Sequence, residues 1–324
     1  MNTGKPLPSK PLGVIASLSG GLDAVIRGWV VVLLPVALDL FLWFGRRLSI
    51  QPVAERAFAQ LTQMVGENPA FDLLLKAATD INYFGLLSIA PLGIPSLMSL
   101  KLPGSTPLGI PDELTVHSEL TWLALFVGLA LVGLFLGGFY LGMIAQQVRD
   151  GRFNLPRLLG VVPRYWTSLV ALLLALGVIA CVVAVPVLVL ASLVAAWNAW
   201  IASLVIWTGS LILIWLFFHL MFTVHGLLLS EEPLIKATLN SLRLTAFNSF
   251  PTMALLLLAA ALSAGLNFLW SLPADDSWML LVGILGHALI TSGLIASTFV
   301  FYQDRYRYWR ELRAYLAGPN GGAA

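Results

Sequence analysis

Charged side chains make up only 10% of the 324 residues, against about 25% in a soluble domain. A chain so poor in charge cannot cover itself against water, which excludes an ordinary soluble globule. Cysteine is nearly missing. Cys181 stands alone, so intrachain disulfides and cysteine metal clusters are excluded, and inside its apolar run it serves as a small apolar side chain. HExxH, P-loop, dinucleotide and serine–histidine signatures are also lacking. No metal, no cofactor and no catalytic residue is therefore expected. What the chain has in quantity is apolar: 59% hydrophobic residues and a mean hydropathy of +0.89.

The apolar residues gather into six runs long enough to cross a hydrocarbon core of about 30 Å. They fall at about 29–45, 120–144, 168–192, 199–226, 252–271 and 278–301. The reading is an all-α polytopic membrane bundle, a single integral membrane domain over 1–324 with six transmembrane helices. The first run carries Pro35 and Asp39 and has no small-residue cleavage site after Phe44, so it reads as a retained helix.

Orientation follows from lysine and arginine. Thirteen of the 18 basic residues fall on one side, from Lys5, Lys10 and Arg27 to Arg305, Arg307, Arg310 and Arg313. The short loops near Ala195 and at Asp275–Asp276 have none. Both termini are expected in the cytoplasm of a bacterium, with the bundle in its inner membrane.

Two stretches read as parallel copies of one unit: apolar helix, basic amphipathic segment, apolar helix. Their centres are GRFNLPRLLGVVPRYWTSLVALLLAL and SEEPLIKATLNSLRLTAFNSFPTMALLLL. The segment before Trp29, with apolar Leu12, Ile15, Leu18, Leu22, Val25 and Ile26, is a partial third copy. These are expected as cytoplasmic interfacial helices before spans one, three and five. Cation–aromatic junctions, Arg27 with Trp29, Arg164 with Trp166, and Arg243 near Phe247, are candidate headgroup anchors, joined by Arg157. In the last copy Ser230 is expected to cap a helix opening on Glu231-Glu232-Pro233. That acidic pair and Asp275-Asp276 read as solvated.

The stretch at about 46–118 is the sizeable loop on the other side. It should hold two short helices, one near Pro52 and one near Pro69, then an apolar run at 84–100. Pro91 and Pro95 make that run a candidate re-entrant segment rather than a span.

Asp39 lies roughly 15 Å past Trp29 at 1.5 Å per helical residue. An ionisable group at that depth needs a partner or a wet cavity. His287, about as deep from the opposite side, is its candidate partner in an intramembrane polar site. The alternative is an Asp39 that only locks the first helix in place. His219 and His225 are six residues apart, roughly 120° around a helix, and cannot share a metal ion. Gly133, Gly137, Gly138 and Gly142 form two overlapping small-xxx-small pairs for close helix packing, expected within the bundle.

Glu232, Lys236-Ala237-Thr238-Leu239, Ser241-Leu242-Arg243-Leu244-Thr245 and Phe247 resemble a motif shared by two membrane families. These are the membrane domain of bacterial glycerophosphodiester phosphodiesterases and the YciC-like proteins. The phosphodiesterase barrel itself has no counterpart here, so the resemblance implies architecture and carries over no catalysis. The function expected is non-enzymatic, structural or regulatory: organising lipids through their anionic headgroups, or membrane protein partners, at the inner leaflet. A small transporter using Asp39 and His287 is the alternative, and a lipid-modifying enzyme a third. Nucleic acid is not an expected partner.

Overall fold

The computed structural model describes residues 9–66, 69–89, 92–99 and 101–316. Lys5 and, within the 84–100 run, Ala90, Pro91 and Leu100 lie outside the described residues. The protein is an all-α bundle. Helix α1 (Val14–Arg27) and helix α2 (Leu33–Phe44), linked by a 3-10 turn at Trp29–Val32, meet at 89°. Trp29 to Phe44 rises about 24 Å as helix, short of a full hydrocarbon core. The pair therefore makes at most one bent span, with the break between the segment before Trp29 and the run at 29–45.

A three-residue strand, β1 (Arg47–Ser49), leads into the amphipathic helices α3 (Gln51–Val65) and α4 (Pro69–Thr79). A second 3-10 turn (Tyr83–Ser88) and an irregular segment follow. Strand β2 (Glu113–Thr115) then returns parallel to β1.

Among the described residues, five helices after this loop, one of them a continuous pair, are long and apolar enough to cross a membrane, so this is a multi-pass membrane protein. They begin with α5 (Glu119–Asp150) and α6 (Leu155–Ala195). Next comes α7 (Ala199–Leu220), prolonged by α8 (Thr223–Leu229). Helix α9 (Leu234–Phe247) is too short to span; α10 (Ser249–Trp270) and α11 (Leu280–Leu316) complete the set. Helix α6 corrects the expected repeat. Its amphipathic start is continuous with the span in one helix of 41 residues, about 60 Å long, with Pro163 left inside it. In the other copy the chain does break at Asn248, and Pro251 falls in the first turn of α10, where its missing N–H leaves no acceptor unfilled.

Helix α11 is the axis. Helices α1, α2, α5, α8 and α10 all pack on it. Gly21 of α1 lets the two backbones touch, since a Cβ there would overlap Ser297 and Gly293 of α11. The glycines of α5 divide their work. A Cβ on Gly138 or Gly142 would meet Leu169, Leu158 and Tyr165 of α6, whereas one on Gly133 or Gly137 would strike Leu86, Leu87, Leu92 and Gly93. One pair admits a helix; the other admits the second 3-10 turn at Gly133 and, at Gly137, the irregular segment, whose Leu92 and Gly93 reach the middle of α5. There Leu92, Ile94, Leu97 and Met98 are buried.

Helix α9 has its faces reversed relative to a soluble helix. Ala237, Asn240, Ser241, Leu244 and Thr245 are buried against the bundle, while Ile235 is 77% and Phe247 78% exposed. With lipid outside, an apolar outward face is the stable arrangement. Ser241 fastens the inner face: its hydroxyl donates to the His219 carbonyl at 2.7 Å and accepts from the Phe222 N–H at 3.0 Å. These are the backbone groups freed where α7 gives way to α8. Ser241→Ala should leave that buried N–H unpaired and cost about 2 kcal/mol, to be measured as a lower melting temperature of the purified protein in detergent. An unchanged melting point would refute this role.

Candidate functional site at the basic end

Asp39 is fully buried, but it does not meet His287. Its Oδ1 accepts the Ser96 hydroxyl at 2.5 Å and the Met98 N–H at 2.9 Å, and its Oδ2 accepts the Leu97 N–H at 3.1 Å. The physical reason is local. Irregular backbone at membrane depth leaves N–H groups that no water can satisfy, and the carboxylate takes them. Ser88 does the same for the Ile94 carbonyl, donating at 2.6 Å. His287 is buried in α11 with its Nδ1 unpaired. The expected polar pair thus dissolves into a loop anchor and a separate buried histidine. His219 Nδ1 bonds the Trp215 carbonyl, and His225 Nε2 bonds Thr298. Neither faces the other as a ligand, and no group of three metal-ligating residues occurs among the described residues.

The charges concentrate at the opposite end of the bundle, where α5, α6, α9 and α11 converge. The chain reverses between α8 and α9 through Glu231, whose φ of 52° lies in the left-handed region that disfavours a side chain. Arginines hold that turn. Arg149 bonds the Glu231 carboxylate at 2.8 Å and Arg157 at 3.1 Å, while Arg164 donates to its carbonyl at 3.0 Å. Glu232 turns inward instead. It is buried, accepting from Asn240 at 2.7 Å and from the Tyr306 hydroxyl at 2.8 Å, with the Lys236 ammonium at 3.2 Å. The Tyr306 phenol is a donor at neutral pH. Helix α9 starts at Leu234 with Pro233 at its N-cap and no side-chain cap. The expectation of a Ser230 cap and a solvated acidic pair is therefore corrected: three helices supply partners that adjacency in sequence cannot reveal.

The apolar part of α11 ends near Phe301; past Arg305, which bonds Leu12, and Tyr306, which bonds Glu232, its last turns expose Arg307, Arg310 and Glu311. Between them and the α8–α9 turn lies a groove of about 980 Å³. One wall carries Glu231, Glu232 and Lys236; the other carries Tyr306, Arg307, Arg310 and Glu311, with Arg149 between the two. The sequence reading missed this groove. Its signal in the sequence is the spacing of Arg307 and Arg310, which counts there only toward orientation.

The expected headgroup anchors separate into two groups. Arg157, Arg164 and Trp166 have protein partners: both arginines bond Glu231 and remain exposed. The Trp166 Nε1 donates to the Leu131 carbonyl at 3.0 Å, and its ring sits edge-on to Phe135, so it joins α6 to α5. Arg27, Trp29 and Arg243 are exposed, and neither arginine has a carboxylate within 4.0 Å among the described residues.

Comparison with family models, curated proteins and solved structures finds no match to this chain.

Proposed function

We propose that this is a non-enzymatic, lipid-organising protein of a bacterial inner membrane, with its basic end and both termini in the cytoplasm. The observation that carries the reading is the reversed amphipathicity of α9. Its apolar residues point outward beside Phe250, itself 85% exposed, and Arg243 is left exposed among them. Helix α1 repeats the pattern, with Ile15 and Ile26 outward and Arg27 free at its end. An outward apolar face with cations at its edge suits the acyl and headgroup layers of an anionic leaflet. The excess of lysine and arginine at this end supports a cytoplasmic placement. The bonding of Asp39 to backbone supports a structural role for that residue over a transport site. The resemblance to YciC-like membrane proteins fits the same view, for its positions Glu232, Ala237, Ser241 and Thr245 are those that seat α9.

The test is the lipid shell. In nanodiscs of mixed phosphatidylglycerol and phosphatidylcholine, spin-labelled lipids report which headgroup the protein holds at its boundary. The wild type should prefer the anionic lipid. Arg27→Gln with Arg243→Gln should weaken that preference by about 1 kcal/mol per charge. Equal shells for wild type and variant would refute the proposal.

A further inference from the structure

We propose that the groove between α9 and α11 is a discrete binding site for a phosphate monoester, carried by a lipid headgroup or by a small soluble molecule. This goes beyond the lipid-facing role of α1 and α9 and uses different residues. Lys236 stands on one wall, and Arg307 and Arg310 on the other. All three side chains are exposed. Lys236 and Arg307 each have one carboxylate partner, Glu232 and Asp304, and keep further N–H donors free. Arg310 has no carboxylate within 4.0 Å among the described residues.

The acids of the groove are mostly committed. Glu231 is held by Arg149 and Arg157, and Glu232 by Asn240, Tyr306 and Lys236, which leaves Glu311 as the exposed carboxylate. The groove also receives the N-terminus of α9, a helix of 14 residues with no side-chain cap. Its first N–H groups have no acceptor within the helix, and the positive end of the dipole points the same way. Pro233 and Lys236, which line the groove, bracket these N–H groups.

The donor set selects the ligand. Two guanidinium forks and an ammonium face each other across a space large enough for a hydrated anion. A carboxylate brings two oxygens and one charge. A phosphate monoester brings three oxygens and close to two charges, and guanidinium groups take it in paired hydrogen bonds. The groove lies beside α9, so if α9 faces lipid as proposed above, a phospholipid of the phosphatidic acid type can reach it laterally. A soluble phosphomonoester can reach it from the aqueous side.

The experiment uses the full chain in two arms. Native mass spectrometry of protein from phosphatidic acid and phosphatidylcholine nanodiscs counts retained lipid. Titration calorimetry in detergent with glycerol 3-phosphate measures the soluble arm. The wild type is expected to retain phosphatidic acid over phosphatidylcholine, to bind glycerol 3-phosphate, or both; the arm that responds names the source. Lys236→Gln with Arg310→Gln should weaken that binding roughly tenfold or more, and high salt should weaken it too. Lys236→Gln gives up the Glu232 ion pair, so Arg310→Gln alone, at an exposed residue with no carboxylate partner among the described residues, is the control: it should weaken binding and leave the melting temperature in place. Arg27→Gln with Arg243→Gln should leave groove binding unchanged, which separates this site from the lipid shell. No binding in either arm, or a double variant that binds like the wild type, overturns the proposal.

Discussion

Replacing Asp39 by alanine is expected to lower stability by about 3 kcal/mol or more, because two backbone N–H groups and a hydroxyl lose their acceptor together. The segment they belong to lies against the middle of α5, where water is not available to replace the carboxylate. Asp39→Asn keeps an acceptor oxygen and should lose about half as much, while Ser96→Ala should cost about 1 kcal/mol. Unfolding in mixed micelles of mild detergent and SDS gives the ranking. Wild-type stability in the alanine variant would show that the segment does not depend on this residue. A proton-carrying Asp39 predicts the other pattern, with asparagine losing activity at full stability.

Gly137→Leu should be worse still. A Cβ at that position already overlaps the Leu92 carbonyl and crowds Gly93, so a leucine has to expel the irregular segment from α5. Overpacking a tight site costs about 1–3 kcal/mol when the surroundings can yield. Here the obstacle is backbone, which cannot turn away as a side chain can, so the expected result is loss of the folded peak in detergent gel filtration. Gly128, on the same helix, has open space around it. Gly128→Leu should behave as wild type, which excludes a general cost of leucine in α5. If the two variants elute and melt alike, the segment is not packed against Gly137.

The two glycine variants also show what the sequence could reveal. The apolar runs and the membrane class were legible because length and hydropathy depend on local composition alone. So was the need for close approach at Gly133, Gly137, Gly138 and Gly142. The identity of the neighbours was not, since nothing local distinguishes a glycine facing Leu158 from one facing Leu92. Asp39 stood out as an anomaly in an apolar run. Its partners are chiefly backbone N–H groups, which every residue has and no pattern marks. In α9 the helical period was visible, but the direction of its faces was not. Inside lipid, Ile235 gains by pointing away from the protein and Asn240 by pointing in, the reverse of the soluble rule. Trp166 stood out beside Arg164, yet its partner, the Leu131 carbonyl, is again a backbone group that no pattern marks. Glu231 and Glu232 looked like one exposed pair because they are adjacent. The turn between α8 and α9 sends one to the arginines of α5 and α6 and the other beneath Tyr306.

The right angle between α1 and α2 has a consequence for the bilayer. A bundle of upright helices can slide or tilt to suit membranes of different thickness. Here α1 lies along α11, in contact from Gly21 at Ser297 to Leu12 at Asp304 and Arg305. With α1 so held, the bent pair cannot straighten into a longer span, and its reach across a bilayer is fixed. In a membrane too thick or too thin, the lipid has to stretch or compress around it.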